Sequence, residues 1–69
     1  MQISEMMQGY LDGFGDPYAP LPSENRTACY RHGFANGRDD RNGTPRAPAA
    51  ELRRLAELAE KADAEVYIK

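Results

Sequence analysis

Four glycines in two equally spaced pairs constrain this chain more than any other feature: Gly9 and Gly13 in QGYLDGFG, and Gly33 and Gly37 in ACYRHGFANGR. A glycine inside a helix costs about 1 kcal/mol against alanine. Four such losses need an offset, and the close approach of two helix backbones supplies one. Residues four apart lie on one face of a helix, so each pair makes a bare strip. An aromatic pair stands beside each strip, Tyr10 and Phe14 by the first and Tyr30 and Phe34 by the second. The pattern predicts two short helices docked strip against strip, with the four rings filling the space on either side.

The rest of the chain fits around that pair. Ile3, Met6, Met7, Tyr10, Leu11 and Phe14 recur at amphipathic spacing, which predicts a first helix over about residues 3–14 with its apolar face in the core. Ser4 suits its N-cap, and the Gly15-Asp16-Pro17 run its end. DPYAPLP, residues 16–22, is too rich in proline for regular structure and reads as an extended connector whose Tyr18 and Leu21 fold back over the helices. Ser23 and Glu24 suit a helix start, which places the second helix over about residues 23–38. Residues 39–47 read as a loop around the Asn42-Gly43 turn signal. In it Asp39 and Asp40 form local ion pairs with Arg38 and Arg41 rather than a metal site.

The last segment is rich in strong helix formers and predicts a third helix over about residues 47–67, with Pro45 or Pro48 in its first turn. Leu52, Leu55, Ala59, Ala62 and Val66 alternate spacings of three and four and form a seam of about two heptads. That seam packs on the helix pair of its own chain or, alternatively, joins two copies as a homodimer. The fold class expected is all-α, a single small three-helix domain over residues 1–69.

Composition narrows the function. A core in a chain of 69 residues is rarely worth more than about 3–5 kcal/mol. The lone cysteine, Cys29, excludes an intrachain disulfide and a cysteine-rich metal site, and reads as a packing residue. No run approaches the ~20 apolar residues that span a bilayer, and the N-terminus lacks a signal peptide's basic start, so a soluble cytoplasmic protein is expected. There is no phosphate-binding Gly-x4-Gly-Lys-Ser/Thr loop. The only histidine, His32, has no nucleophile partner and no second histidine for a metal, so neither catalysis nor a cofactor is expected.

The net charge of −2 hides a segregation. Residues 1–25 hold four carboxylates and no base, whereas residues 26–54 hold seven arginines against three carboxylates. Every base in that middle segment is arginine, whose planar multidentate guanidinium suits phosphate and carboxylate. Arg26, Arg31, His32, Arg38 and Arg41 are the candidate binding residues.

The constellation Gly9-Tyr10-x-x-Gly13, Pro20, Asn25, Tyr30 and Gly33-Phe34 resembles the ribosome modulation factor family, over about residues 8–38. Tyr30 and Phe34 stand where that family usually has tryptophans, and Ala19 where it has cysteine. The resemblance implies a ribosome-associated regulator that binds the small subunit near the 3′ end of its RNA and helps inactivate ribosomes in stationary phase. Arginines of the second helix and the following loop would then contact RNA phosphate. The alternative is a small, phage-encoded inhibitor or adaptor that binds a host protein through the acidic N-terminal surface or the last helix.

Overall fold

The computed structural model describes residues 3–68, with side chains through Val66, and places three helices in sequence. Helix α1 covers Glu5–Gly15, α2 Ala28–Asn42 and α3 Ala49–Ile68, with no strand among the described residues, so the chain is all-α. Helix α2 lies in the middle, packed against α1 on one side and α3 on the other.

The α1–α2 contact runs backbone to backbone. A Cβ added to Gly9 would fall well inside 3.0 Å of the Tyr30 carbonyl oxygen, and one on Gly33 equally close to the Met6 carbonyl oxygen. Gly13 stands in the same way against Phe34, and Gly37 against Tyr10. Gly9 corresponds to Gly33 and Gly13 to Gly37, since each faces the carbonyl three residues before, and the amide one residue after, its counterpart. The two helices therefore run in the same direction about a local two-fold axis. Two tyrosines tie the helices together across this contact, outside the symmetry of the glycines: Tyr10 Oη donates to Asp40 Oδ2 at 2.6 Å and Tyr30 Oη to Asp12 Oδ2 at 2.5 Å. Running parallel, the helices need a long return, which residues 16–27 provide.

The caps explain where each helix begins and ends. Ser4 Oγ accepts from the Met7 amide at the start of α1. Helix α2 starts at Ala28 rather than Ser23, because Thr27 is its N-cap: Thr27 Oγ1 accepts from the Tyr30 amide at 3.0 Å. Asp63 of α3 completes that cap, accepting from the Ala28 and Cys29 amides at 2.8 and 2.9 Å. Ser23 instead closes a turn, its carbonyl accepting from the Arg26 amide. At its other end α2 runs on through Asp39 and Asp40 to Asn42. It stops at Gly43, whose left-handed φ of 69° lets its amide and that of Thr44 turn back onto carbonyls of the last turn. Helix α3 follows Pro48, whose carbonyl accepts from the Leu52 amide.

Several expected burials do not occur. Tyr30, Phe34, Ala35 and Ala59 are the buried apolar residues, and α1 buries only Gly9 and Gly13. Ile3, Met7, Leu11 and Phe14 are exposed, since α1 touches α2 alone and has no α3 to cover its other face. Tyr18 is 90% exposed and Leu21 is also exposed, so the connector does not fold its side chains over the pair. On α3, which packs on α2, Leu52 and Leu55 are half-buried and Ala59 is buried, but Ala62 and Val66 are exposed. The inward position of the last turns belongs to Asp63, which leaves the expected seam to cap α2.

Candidate nucleic-acid interface

Three arginines of α2, Arg31, Arg38 and Arg41, and Arg26 just before it are each anchored by a neutral group. The Arg26 guanidinium lies 3.6 Å from the centre of the Tyr30 ring. Arg31 Nε donates to the Arg26 carbonyl at 3.3 Å, which ties the two together. Arg38 Nη1 donates to the Ala19 carbonyl at 3.2 Å and fixes the connector against α2. Arg41 Nη1 donates to the Phe14 carbonyl at 3.2 Å, a group left over at the C-terminal end of α1, with its guanidinium 5.3 Å from the Phe14 ring centre.

None of the four has a carboxylate within ion-pair distance among the described residues; the ion pairs there are Arg46–Asp39 and Arg54–Glu51. Asp39 and Asp40 thus do not pair with Arg38 and Arg41 as expected. On a helix, side chains so close in sequence diverge by about 100° per residue, and Asp39 meets Arg46 of the following loop while Asp40 meets Tyr10. A guanidinium that gives one donor to a carbonyl or lies on a ring keeps further N–H groups for a ligand. Each anchor also limits rotamer freedom, which lowers the entropy cost of binding.

Around this strip are two hollows that share Arg31. One, of about 270 Å³, is lined by Arg26 and Arg31 beside Asn25 and Val66, with the carboxylates of Glu24 and Asp63 also on its wall. The other, of about 310 Å³, brings Arg31 together with His32 and Arg46 under Leu21 and Pro22. His32 has its pKa lowered, first by burial and then by the nearby Arg46 charge, so it enters the site as a neutral ring. Its Nε2 lies 3.0 Å from Asn36 Nδ2, which suits an acceptor there and a proton on Nδ1. Arg46 is the residue that spacing along α2 does not reveal. It lies in the loop, and only the continuation of α2 to Asn42 carries that loop back beside His32.

Cys29 is half-buried at the far side of the α2 N-terminus. Burial, aided by the Asp63 hydrogen bond and the carboxylates of Asp63, Glu60 and Glu5, pushes its thiol up to about 12, so it is not a nucleophile at neutral pH. Burial works against ionised Asp63, but the hydrogen bonds from the Cys29 thiol and amide and the Ala28 amide, with the charge of Arg31, outweigh it and hold the carboxyl below its ordinary value. No cluster of histidine, cysteine and carboxylate side chains suited to a metal occurs among the described residues, and no helix there is long and apolar enough to cross a membrane.

Compared with family models, curated proteins and solved structures, the chain gives no match.

Proposed function

We propose that this chain is a small regulator, similar to the ribosome modulation factors, that binds structured RNA of the small ribosomal subunit through Arg26, Arg31, Arg38 and Arg41. The observation that carries the reading is the state of these arginines: three cations of α2 and a fourth just before it, each held in place and none in an ion pair with a carboxylate. A helix of 15 residues spans roughly 22 Å, which spreads the charges along a strand instead of gathering them on one phosphate. Asp12 and Asp40 are engaged by tyrosine hydroxyls and not by ion pairs with these arginines. The overall charge of −2 therefore coexists with a local cationic strip, and a molecule with two unlike sides orients as it approaches a polyanion.

The test is co-sedimentation with isolated small ribosomal subunits over a salt series. Four phosphate contacts give a slope of log affinity against log salt of about −3. Arg26→Glu with Arg31→Glu should remove binding while leaving the helical circular dichroism in place. Glu57→Lys, on the exposed side of α3, should not weaken it. Absence of wild-type binding at low salt refutes the reading.

A further inference from the structure

The arginine strip leaves the opposite side of the helix pair unexplained, and that side has a definite chemical character. Between Met6, Met7 and Tyr10 of α1 and Gly33 and Asn36 of α2 lies a groove of about 340 Å³, at the small end of the roughly 300–1,000 Å³ typical of ligand sites. Its walls are apolar, and Met7 is 51% exposed at its lip. Asn36 and Arg38 lie two residues apart and hence on nearly opposite sides of α2.

Beside the groove is a second hollow of about 330 Å³, with Ser4 and Met6 common to the walls of both. There Glu5 of α1 meets Glu60 and Asp63 of α3. Asp63 is occupied by the α2 amides and feels the Arg31 charge from the other side, Glu5 accepts from the Thr27 hydroxyl with no ion-pair partner, and Glu60 has no polar partner among the described residues. Their negative field already acts on the Cys29 thiol between them. An apolar slot beside Glu5 and Glu60, neither in an ion pair, is complementary to an apolar side chain with a cation nearby.

Other occupants fit less well. A second copy of this chain would offer the exposed stripe Ile3, Met7 and Leu11, but residues 1–25 contain no base, so self-docking through α1 would set carboxylate against carboxylate. The three carboxylates are not gathered closely enough to hold a metal ion. Phosphate-bearing ligands are repelled.

We infer that the α1–α2 groove is a docking site for a cationic amphipathic helix of another protein, an apolar side chain seating between Met6 and Met7 while a neighbouring lysine or arginine meets Glu60 and Glu5. Methionine side chains adapt to varied apolar shapes, so the slot accepts leucine, isoleucine or phenylalanine, and the carboxylates set the requirement for positive charge. The apolar groove shares no residue with the arginine strip, and its carboxylate end adjoins the Arg26–Arg31 hollow only at Thr27 and Asp63, so the inference does not depend on RNA binding.

The probe is a fluorescein-labelled synthetic helix of leucine and lysine, the leucines forming one stripe, titrated by anisotropy at moderate salt. Saturable binding is expected, with loss of about tenfold in affinity for Met7→Ser and for Glu60→Lys. Both positions are exposed, so both variants should keep the wild-type circular dichroism; Met7→Gln repeats the first with a side chain of similar length. Asp16→Asn, outside the groove, and Arg41→Gln, at the C-terminal end of α2, should bind as wild type. Four results each overturn the inference: no binding, equal binding of a peptide with serine in place of leucine, wild-type affinity in the Met7 or Glu60 variants, or a dimer in sedimentation that Met7→Ser abolishes.

Discussion

Replacing Gly33 by alanine sets helix propensity directly against backbone packing. The added methyl favours the helix by about 1 kcal/mol. It would also lie well inside 3.0 Å of the Met6 carbonyl oxygen and 2.9 Å from its carbon. Those atoms belong to a helix backbone and cannot rotate away, so α1 must move, and the close approaches at Gly9, Gly13 and Gly37 open with it. Overpacking of this kind costs about 1–3 kcal/mol, and a backbone neighbour puts it at the upper end. The net loss is then about 1–2 kcal/mol, a large share of the roughly 3–5 kcal/mol a core of this size supplies. At about 4–8 °C per kcal/mol the melting temperature should fall by about 5–15 °C. Gly15→Ala is the internal control. Gly15 ends α1 with nothing within 4 Å of an added Cβ, so the same chemical change there should raise the melting temperature. Thermal and urea melts followed by circular dichroism give both values. If Gly33→Ala stabilises the protein as Gly15→Ala does, the close approach of the helices is not what holds the pair together.

Three further outcomes follow from the packing between α2 and α3 and around them. Asp63→Asn weakens the α2 cap and should cost about 1–2 kcal/mol near neutral pH. Since the folded Asp63 pKa is lowered, its contribution is present above the unfolded value of about 3.9 and is lost as pH falls through the folded value. Urea midpoints of wild type and variant should therefore converge in acid. Leu55→Glu, half-buried against α2, should undock α3 and lower helicity by circular dichroism, at a cost of about 2–4 kcal/mol; a folded monomer arising from a wild-type dimer would instead assign that position to an interface between chains. Cys29, held up at about 12, should react with iodoacetamide at mildly alkaline pH far more slowly than in urea, as mass spectrometry can follow.

The all-α class was legible because glycine spacing, proline placement and helix formers agree along the chain. The limits of α2 were not. Ser23 and Thr27 are equally good caps by residue type, and the choice between them rests on Asp63, 35 residues beyond Ala28, whose carboxylate satisfies the next two amides. Heptad counting through Ala62 and Val66 missed Asp63 because a periodicity argument seeks apolar residues and has no place for an inward carboxylate. Amphipathic spacing in α1 was legible too, yet it indicated an apolar face without indicating a cover; α3 packs on α2, and Ile3, Met7 and Leu11 stay exposed. At the candidate site, charge counting found the arginines but not their anchors. Those depend on the carbonyls of Phe14, Ala19 and Arg26, which no side-chain pattern reports.

Those anchors complicate the usual logic of arginine substitution, and salt dependence resolves the difficulty. Arg38 joins the connector to α2 through Ala19, so Arg38→Gln loosens residues 16–27 as well as removing a charge. Arg26, exposed and stacked on Tyr30, holds no such joint. Both substitutions should weaken RNA binding, and affinity at one salt concentration does not separate the causes. Removing one arginine–phosphate pair makes the slope of log affinity against log salt shallower by about 0.7–0.9, whereas loosening that leaves the pairs intact shifts the line without tilting it. Arg26→Gln should therefore tilt the line by the amount due to one phosphate. Arg38→Gln should tilt it equally if its free N–H groups reach phosphate, and only displace it if its role is to hold the connector. A slope unchanged in both variants would remove these side chains from the RNA interface altogether, however much the affinity falls.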